Sequence, residues 1–178
     1  MEARLDGRNA VITGGSAGIG KAIAKSFLTS GANVSIVARR SEVLTAAKAE
    51  IEAQGAVTGT SGKVIALSAD IRNSEECEKV IAKTQAAFGH VDVLVNNAGT
   101  SQRGDFLEVS DEIWQDDLDL KLFSAVRLCR LVIPGMRSRK WGRIINVLNL
   151  GAKVPNGGGA PTAVSRAAGM ALTKVLAN

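Results

Sequence analysis

Eight residues near the N-terminus, Thr13 to Gly20, have the composition of a phosphate-binding turn: Thr-Gly-Gly-Ser-Ala-Gly-Ile-Gly. Glycine lets the backbone turn tightly and approach a ligand, and the free N–H groups of a helix N-terminus attract anions. We predict that a nucleotide diphosphate binds to this turn through Gly14, Ser16, Ala17, Gly18, Ile19 and Gly20. The alternative is an ordinary turn whose glycines only relieve crowding.

The residues on either side of this turn favour the ligand-binding interpretation. Residues 10–12 are an apolar run typical of a buried strand, and residues 22–28 have apolar side chains at helical spacing. A strand, a glycine-rich turn and a helix in this order form the context in which such a fingerprint is informative.

Two arginines, Arg39 and Arg40, follow the second predicted strand, residues 33–38. A dinucleotide-binding fold has an acidic residue about 20 residues after the glycines for a ribose 2′-hydroxyl, whereas arginine suits a 2′-phosphate. The arginines therefore favour NADP(H) over NAD(H). Solvated loop charges are the alternative.

Apolar patterns of strand and helix alternate along the whole chain. Such alternation is typical of right-handed crossovers and a parallel sheet covered on both faces. We predict a doubly wound α/β, Rossmann-like fold in a single domain, residues 1–178. Ser41 and Ser74 are predicted N-caps, and Gly31 a left-handed helix end. The predicted strands are 10–12, 33–38, 63–69, 91–95 and 142–148, and the helices 19–29, 41–53, 74–88, 111–136 and 162–176.

Composition limits the classes of protein to consider. The chain has 178 residues, 46% of them hydrophobic, and a net charge of +5. We interpret the basic run 137–143 as a charged loop and expect no nucleic-acid or membrane partner. Because the first residues lack the apolar stretch of a signal peptide, we predict a cytoplasmic location. Cys77 and Cys129 lack metal-ligand spacing, so we expect reduced thiols and no metal site.

Three motifs in order resemble the short-chain dehydrogenase/reductase family: residues 13–20, Asp70, and Asn96-Asn97-Ala98-Gly99. The resemblance implies an NAD(P)-dependent oxidoreductase. It further implies that Asp70 and Ile71 contact the adenine, and that Asn97, Ala98 and Gly99 line the cofactor and stabilise the sheet. A simple turn aspartate is the alternative for Asp70.

The catalytic positions of that family are substituted in this chain. The family uses asparagine, serine, tyrosine and lysine, but the chain contains no tyrosine. The matching positions are Lys121, Asn149, Thr162 and Arg166. A threonine hydroxyl is far too weak an acid to replace a phenol, and arginine does not deprotonate. Lys121 could donate a proton if it were desolvated between Arg166 and an apolar wall; a solvated lysine is the alternative.

The resemblance also bears on length and assembly. Family members continue after the fifth helix with two further strands and a substrate-covering segment, so we expect either a fragment or a partner over that surface. The family pairs its fourth and fifth helices between subunits, which predicts a homo-oligomer. Small residues in the last helix permit close helix approach or packing on the sheet: Ala163, Ala167, Ala168, Gly169 and Ala171.

Two functions therefore remain open from the sequence. One is an NADP(H)-dependent oxidoreductase that acts on an unknown carbonyl or alcohol through an atypical site. The other is a catalytically inactive NADP(H)-binding protein, either a sensor or a subunit of an assembly.

Overall fold

A computed structural model describes residues 4–59 and 62–178 of the chain. Its centre is a five-stranded parallel sheet in the order β3-β2-β1-β4-β6, and a two-stranded antiparallel sheet joins β5 to β7. The strands are β1 Asn9–Thr13, β2 Asn33–Ala38, β3 Val64–Ser68, β4 Val93–Asn96, β5 Arg103–Gly104, β6 Arg143–Asn146 and β7 Ala160–Pro161. The helices are α1 Gly18–Thr29, α2 Ser41–Thr58, α3 Ser74–Phe88, α4 Asp111–Leu118, α5 Ser124–Ser138 and α6 Thr162–Ala177.

The sheet is buried between two helical layers, as the apolar strands predict. Successive side chains of a strand point to opposite faces. Ile12 accordingly packs with Leu28 of α1 and Leu44 of α2, whereas Val11 packs with Val80 of α3 and Leu128 of α5. The predicted doubly wound α/β fold is confirmed.

The strand order determines where a ligand can bind. The chain winds from β1 outward to β3 and then returns to place β4 on the other side of β1. In such sheets the crevice lies outside the carboxyl ends of the strands, at the point where the strand order reverses. Here that point lies between β1 and β4.

Several predicted helix ends were wrong. Helix α2 does not end at Gln54-Gly55: Gly55 is buried inside the helix, which continues to Thr58, and Gly59 follows with a φ of 67°. The N-caps are Arg40 and Asn73 rather than Ser41 and Ser74. The Asn73 side chain accepts hydrogen bonds from the backbone N–H groups of Glu75 (2.8 Å) and Glu76 (3.4 Å). Gly31, with a φ of 97°, confirms the left-handed end of the first helix.

The long predicted helix 111–136 consists of α4, a π-helical turn at Asp119–Phe123, and α5. Wider turns of this kind are frequent at functional sites. The fifth central strand, β6, is shorter than predicted because the chain leaves the sheet after Asn146. The pairing of Arg103 with Pro161 and of Gly104 with Ala160 was not predicted, because two-residue strands have no periodicity. Within the described ranges, no helix is long and apolar enough to cross a bilayer.

Replacing Asn73 by alanine should lower the free energy of unfolding by about 1 kcal/mol, because two N–H groups at the start of α3 lose their acceptor. Urea unfolding of Asn73→Ala measures this change. Ser74→Ala is the matched control, since Ser74 lies inside the helix, and it should change the free energy by less than half as much. Equal effects would contradict the assignment of Asn73 as the cap.

Candidate active site

A cleft of ≈ 790 Å³ lies at the carboxyl ends of the central strands. Most of the residues that the sequence predicts to bind a cofactor line it. They are Gly14, Ser16, Ala17, Gly18, Ile19, Arg39, Arg40, Asp70, Ile71, Asn97, Ala98 and Gly99. Gly20 is buried beneath the turn and does not line the cleft.

The glycines of the turn serve different purposes. A Cβ atom on Gly14 would lie 2.8 Å from Asn97 Nδ2, and one on Gly20 would collide with the carbonyl oxygen of Gly14. These two glycines let the turn, α1 and the end of β4 approach one another closely. Gly18 has a φ of 51°, and a Cβ there would meet nothing within 4 Å. Its backbone therefore faces open space at the start of α1, where a phosphate would fit.

Asn97 joins the end of β4 to the end of β1. Its side-chain Nδ2 donates to the carbonyl oxygens of Thr13 (2.9 Å) and Gly14 (3.4 Å). The backbone N–H groups of Asn97 and Ala98 each donate to Thr13 Oγ1 over 3.0 Å. Asn97 thus fixes the shape of the glycine turn from behind, while Ala98 and Gly99 continue the wall of the cleft.

Asp70, in the wall of the cleft, forms an ion pair with Arg72. Arg72 donates to the Asp70 carboxylate from Nη2 (2.6 Å) and Nε (3.1 Å), and its backbone N–H donates over 3.1 Å. The hydrogen bond from the Arg72 side chain is the main reason why the pKa of Asp70 is lowered. Asp70 therefore contributes a fixed carboxylate whose charge is balanced. Arg72 also contacts Asp116 of α4 over 3.0 Å. Arg72 was not singled out from the sequence, although it lies two residues after Asp70.

The four substituted catalytic positions separate into two groups. Asn149 is exposed and Arg166 is partly buried, and both line the cleft. Arg166 donates from Nη1 to the Val147 carbonyl oxygen over 2.5 Å, and its Nη2 lies 2.8 Å from where a Cβ on Gly99 would stand. Lys121 and Thr162 do not line the cleft.

Lys121 and Thr162 belong to a buried polar cluster that we call the Asp117 cluster: Asp117, Lys121, Thr162 and Ser165. The side chains of Lys121 and Asp117 are 2% and 0% exposed. Lys121 Nζ donates to an Asp117 carboxylate oxygen and to Thr162 Oγ1 (2.6 Å). Ser165 Oγ donates to the other Asp117 oxygen over 2.6 Å. The solvated-lysine alternative is therefore wrong.

Burial lowers the pKa of Lys121, although the hydrogen bond and charge of Asp117 oppose that shift. The charge of Arg166 lowers it further. The expected desolvation is found, but the nearest charged group is Asp117 rather than Arg166. The sequence analysis missed Asp117. A carboxylate four residues before Lys121 in a predicted helix was a usable signal, since such positions are neighbours on a helix surface.

Comparison with known proteins agrees with this geometry. A sequence profile described as short chain dehydrogenase matches residues 8–178. The chain belongs to the short-chain dehydrogenase family. It is 36% identical over 175 residues to the 3-oxoacyl-acyl-carrier-protein reductase FabG of Vibrio cholerae, an alignment that covers 97% of this chain and 67% of the relative. It is 35% identical to a short chain dehydrogenase of Pseudocercospora fijiensis, over 88% of this chain and 49% of the relative.

Solved structures of the family superpose closely. L-sorbose reductase from Gluconobacter frateurii, complexed with NADPH and L-sorbose, aligns with a TM-score of 0.92 and 37% identity over 99% of this chain and 65% of that chain. A metagenomic short-chain oxidoreductase in complex with NADP aligns with a TM-score of 0.89 and 33% identity, over 97% of this chain and 76% of that chain. The chain spans about half to two thirds of the length of the first curated relatives that it matches.

Replacing Asp117 by asparagine should lower the free energy of unfolding by about 3–5 kcal/mol, because the Lys121 ammonium is left buried without its carboxylate. The double variant Asp117→Asn/Lys121→Met should recover much of this loss. Chemical unfolding of the wild type, both single variants and the double variant measures the coupling. Purely additive effects would contradict a coupled ion pair.

The loss in Asp117→Asn should also depend on pH. Burial lowers the pKa of Lys121 below its ordinary value of 10.5, and removing Asp117 removes the interaction that opposes this shift. Between the lowered pKa and 10.5 the unfolded chain binds more protons than the folded protein, so stability rises with pH. The deficit of Asp117→Asn relative to the double variant should therefore shrink as pH rises through this interval. A deficit that is constant with pH would mean that Lys121 is not the titrating group.

Proposed function

We propose that this chain is an NADP(H)-dependent oxidoreductase that acts on a carbonyl or alcohol through an atypical site. The observation that carries the proposal is one continuous cleft that joins the glycine turn, the two arginines, and Asn149 and Arg166, two of the four positions of the family's catalytic residues. When bound, the nicotinamide supplies hydride chemistry.

The preference for a 2′-phosphorylated cofactor rests on Arg39 and Arg40. Both are exposed at the cleft, and Ser68 Oγ holds the Arg39 backbone by donating to its carbonyl oxygen over 2.9 Å. A guanidinium binds phosphate in bidentate fashion. Asp70, the acidic residue that lines the cleft, has its charge balanced by Arg72 and so offers little repulsion. The NADPH and NADP named for two structural relatives agree with this choice.

The remaining residues have proposed roles at the reacting end. Arg166 presents its Nη2 beside Gly99 and would donate to the hydroxyls of the nicotinamide ribose. Asn149, with its exposed amide, would hydrogen-bond a substrate oxygen. Lys121 is the proposed proton source: Thr162 Oγ1 would accept its proton while the Thr162 hydroxyl proton passes to the substrate carbonyl oxygen, because a hydroxyl can accept one proton while it donates another. Asp117 would then receive the hydrogen bond of the neutral amine.

Assembly and location stay predictions. Of the small residues in α6, Ala163 and Gly169 are buried, and a Cβ added at Gly169 would lie 2.9 Å from Leu148, which supports the packing alternative for those two. Ala167 and Ala171 are exposed and are available to a second copy. Homo-oligomer formation and a cytoplasmic location rest on the sequence alone.

Replacing Arg39 by aspartate should raise the Kd for NADPH at least tenfold more than the Kd for NADH, because a carboxylate repels the 2′-phosphate and accepts from a 2′-hydroxyl. Fluorescence titration with both cofactors measures the ratio. Lys63→Asp is the control, since it makes the same charge change at an exposed residue outside the cleft. An equal effect on both cofactors would reject the assignment.

Activity is tested by NADPH oxidation against a panel of carbonyl compounds, beside NADPH binding on the same preparation of full-length protein. Turnover that Lys121→Met abolishes while NADPH binding persists would support the proposed proton source. Binding without turnover on any compound would reject the oxidoreductase and favour the inactive NADP(H)-binding alternative.

A further inference from the structure

A second, much smaller cavity lies behind the wall of the cleft. It has a volume of ≈ 10 Å³, about the space that one water molecule needs. Asn96, Lys121, Ser124 and Ser165 are among its lining residues. Arg166 lines both this cavity and the cleft. A hydrogen bond that holds its guanidinium on the cavity side therefore also fixes its position on the cleft side.

Two buried polar atoms in residues of this wall have complementary chemistry. Arg166 Nε is a donor and Asn96 Oδ1 is an acceptor, and neither has a hydrogen-bond partner among residues 4–59 and 62–178. Buried polar groups in folded proteins are nearly always hydrogen-bonded, either to protein or to ordered water. One donor, one acceptor and room for one small molecule occur together at this point.

We propose that this cavity is the site of one buried water molecule that accepts a hydrogen bond from Arg166 Nε and donates one to Asn96 Oδ1. Asn96 is then a positioning residue for Arg166, acting through that water. The water site depends only on the geometry of the wall; its effect on cofactor binding rests on the proposed function.

The second proton of the water also has acceptors. Ser124 Oγ donates its own proton to the Leu120 carbonyl oxygen over 2.6 Å, and Ser165 Oγ donates to Asp117 over 2.6 Å. Each hydroxyl oxygen therefore keeps a lone pair for a further hydrogen bond. A water with one donor and two acceptors around it makes three bonds, the usual number for a buried water.

The orientation of Asn96 is fixed from its other side. Asn96 Nδ2 donates to Asn146 Oδ1 over 2.8 Å, and Asn146 Nδ2 donates to Thr173 Oγ1 of α6 over 2.8 Å. The amide nitrogen of Asn96 is thus directed to Asn146, which leaves its oxygen for the cavity. Since Nη1 of Arg166 is held by Val147, a bond at Nε would fix two nitrogens and leave Nη2 for the cleft.

The experiment observes the Arg166 Nε–H signal of the cofactor-free, full-length protein by ¹H–¹⁵N NMR, with Arg166→Lys to assign it. We expect the Arg166 Nε–H proton to exchange slowly with solvent. It should show NOE and ROE cross peaks to water, with the relative signs that a long-lived bound water produces. A high-resolution crystal structure should contain the same water. Direct bonding of Arg166 Nε to a protein atom, or an Asn96 oxygen turned toward Asn146, would overturn the proposal.

Variants test the role of Asn96. Asn96→Leu removes the acceptor, keeps the branched side-chain shape, and should abolish the water cross peak and raise the Kd for NADPH about tenfold. Thr173→Val is the matched control, because it removes the next hydrogen bond of the same chain, Asn146 to Thr173, at similar volume and keeps the Asn96–Asn146 bond and the Asn96 oxygen. It should preserve the cross peak and change the Kd by less than about twofold. Equal effects of the two variants on both readouts would overturn the positioning role.

The NMR measurement separates this inference from the proposed function. A wild-type protein that binds no NADPH contradicts the proposed function, while the water cross peak, recorded without cofactor, still decides the water site.

Discussion

The close approach between the glycine turn and the end of β4 is the constraint on which the site depends. Asn97 donates to the carbonyl oxygens of Thr13 and Gly14, and no side chain larger than hydrogen fits at Gly14 or Gly20 without displacing Asn97 or the turn. These contacts lie where the strand order reverses, so they define the floor of the crevice. Gly99, three residues past the end of β4, extends the same constraint to the reacting end, because Arg166 rests against its backbone.

Backbone groups dominate one end of the cleft, and charged side chains dominate the other. At the end formed by the glycine turn, backbone groups line the cleft, and backbone geometry is set by glycines and strand positions that a sequence displays directly. At the end near Asn149 and Arg166, charged side chains dominate, and a buried Lys121–Asp117 pair lies in the region of the substituted catalytic positions. A buried pair is costly to form and more costly to break, so this cluster constrains the helices that carry it. Two members of the Asp117 cluster, Lys121 and Thr162, stand at positions where the family carries catalytic residues.

The extent to which the sequence predicted the structure follows from this difference. Strand and helix order, the crevice and the lining residues from Gly14 to Gly99 follow from periodicity and motifs that are local in the chain. Asp117 was missed although Lys121 follows it by four residues; its other partners, Thr162 and Ser165, lie more than 40 residues away. Asn96 was noted only as part of a motif, since the contact that distinguishes it, with Asn146, joins neighbouring strands. The N-cap of α3 was misassigned by one residue because Asn73 and Ser74 are both favoured cap types, whereas the N-cap of α2, Arg40, makes no side-chain capping bond that its residue type could signal.

Helix α6 couples the cluster to the cleft. Thr162, Ser165 and Arg166 lie within one helical turn, and the first two contact Asp117 and Lys121 while the third lines the cleft. Side chains three and four positions apart lie on one face of a helix, so Thr162, Ser165 and Arg166 share one side of α6. β7, which directly precedes this turn, pairs with β5 and contacts α4, the helix that carries Asp117. The first turn of α6 is thus held at its start by the β5–β7 pair and along its face by the contacts of Thr162 and Ser165 with the Lys121–Asp117 ion pair. The position of Arg166 at the cleft therefore depends in part on residues that do not line the cleft.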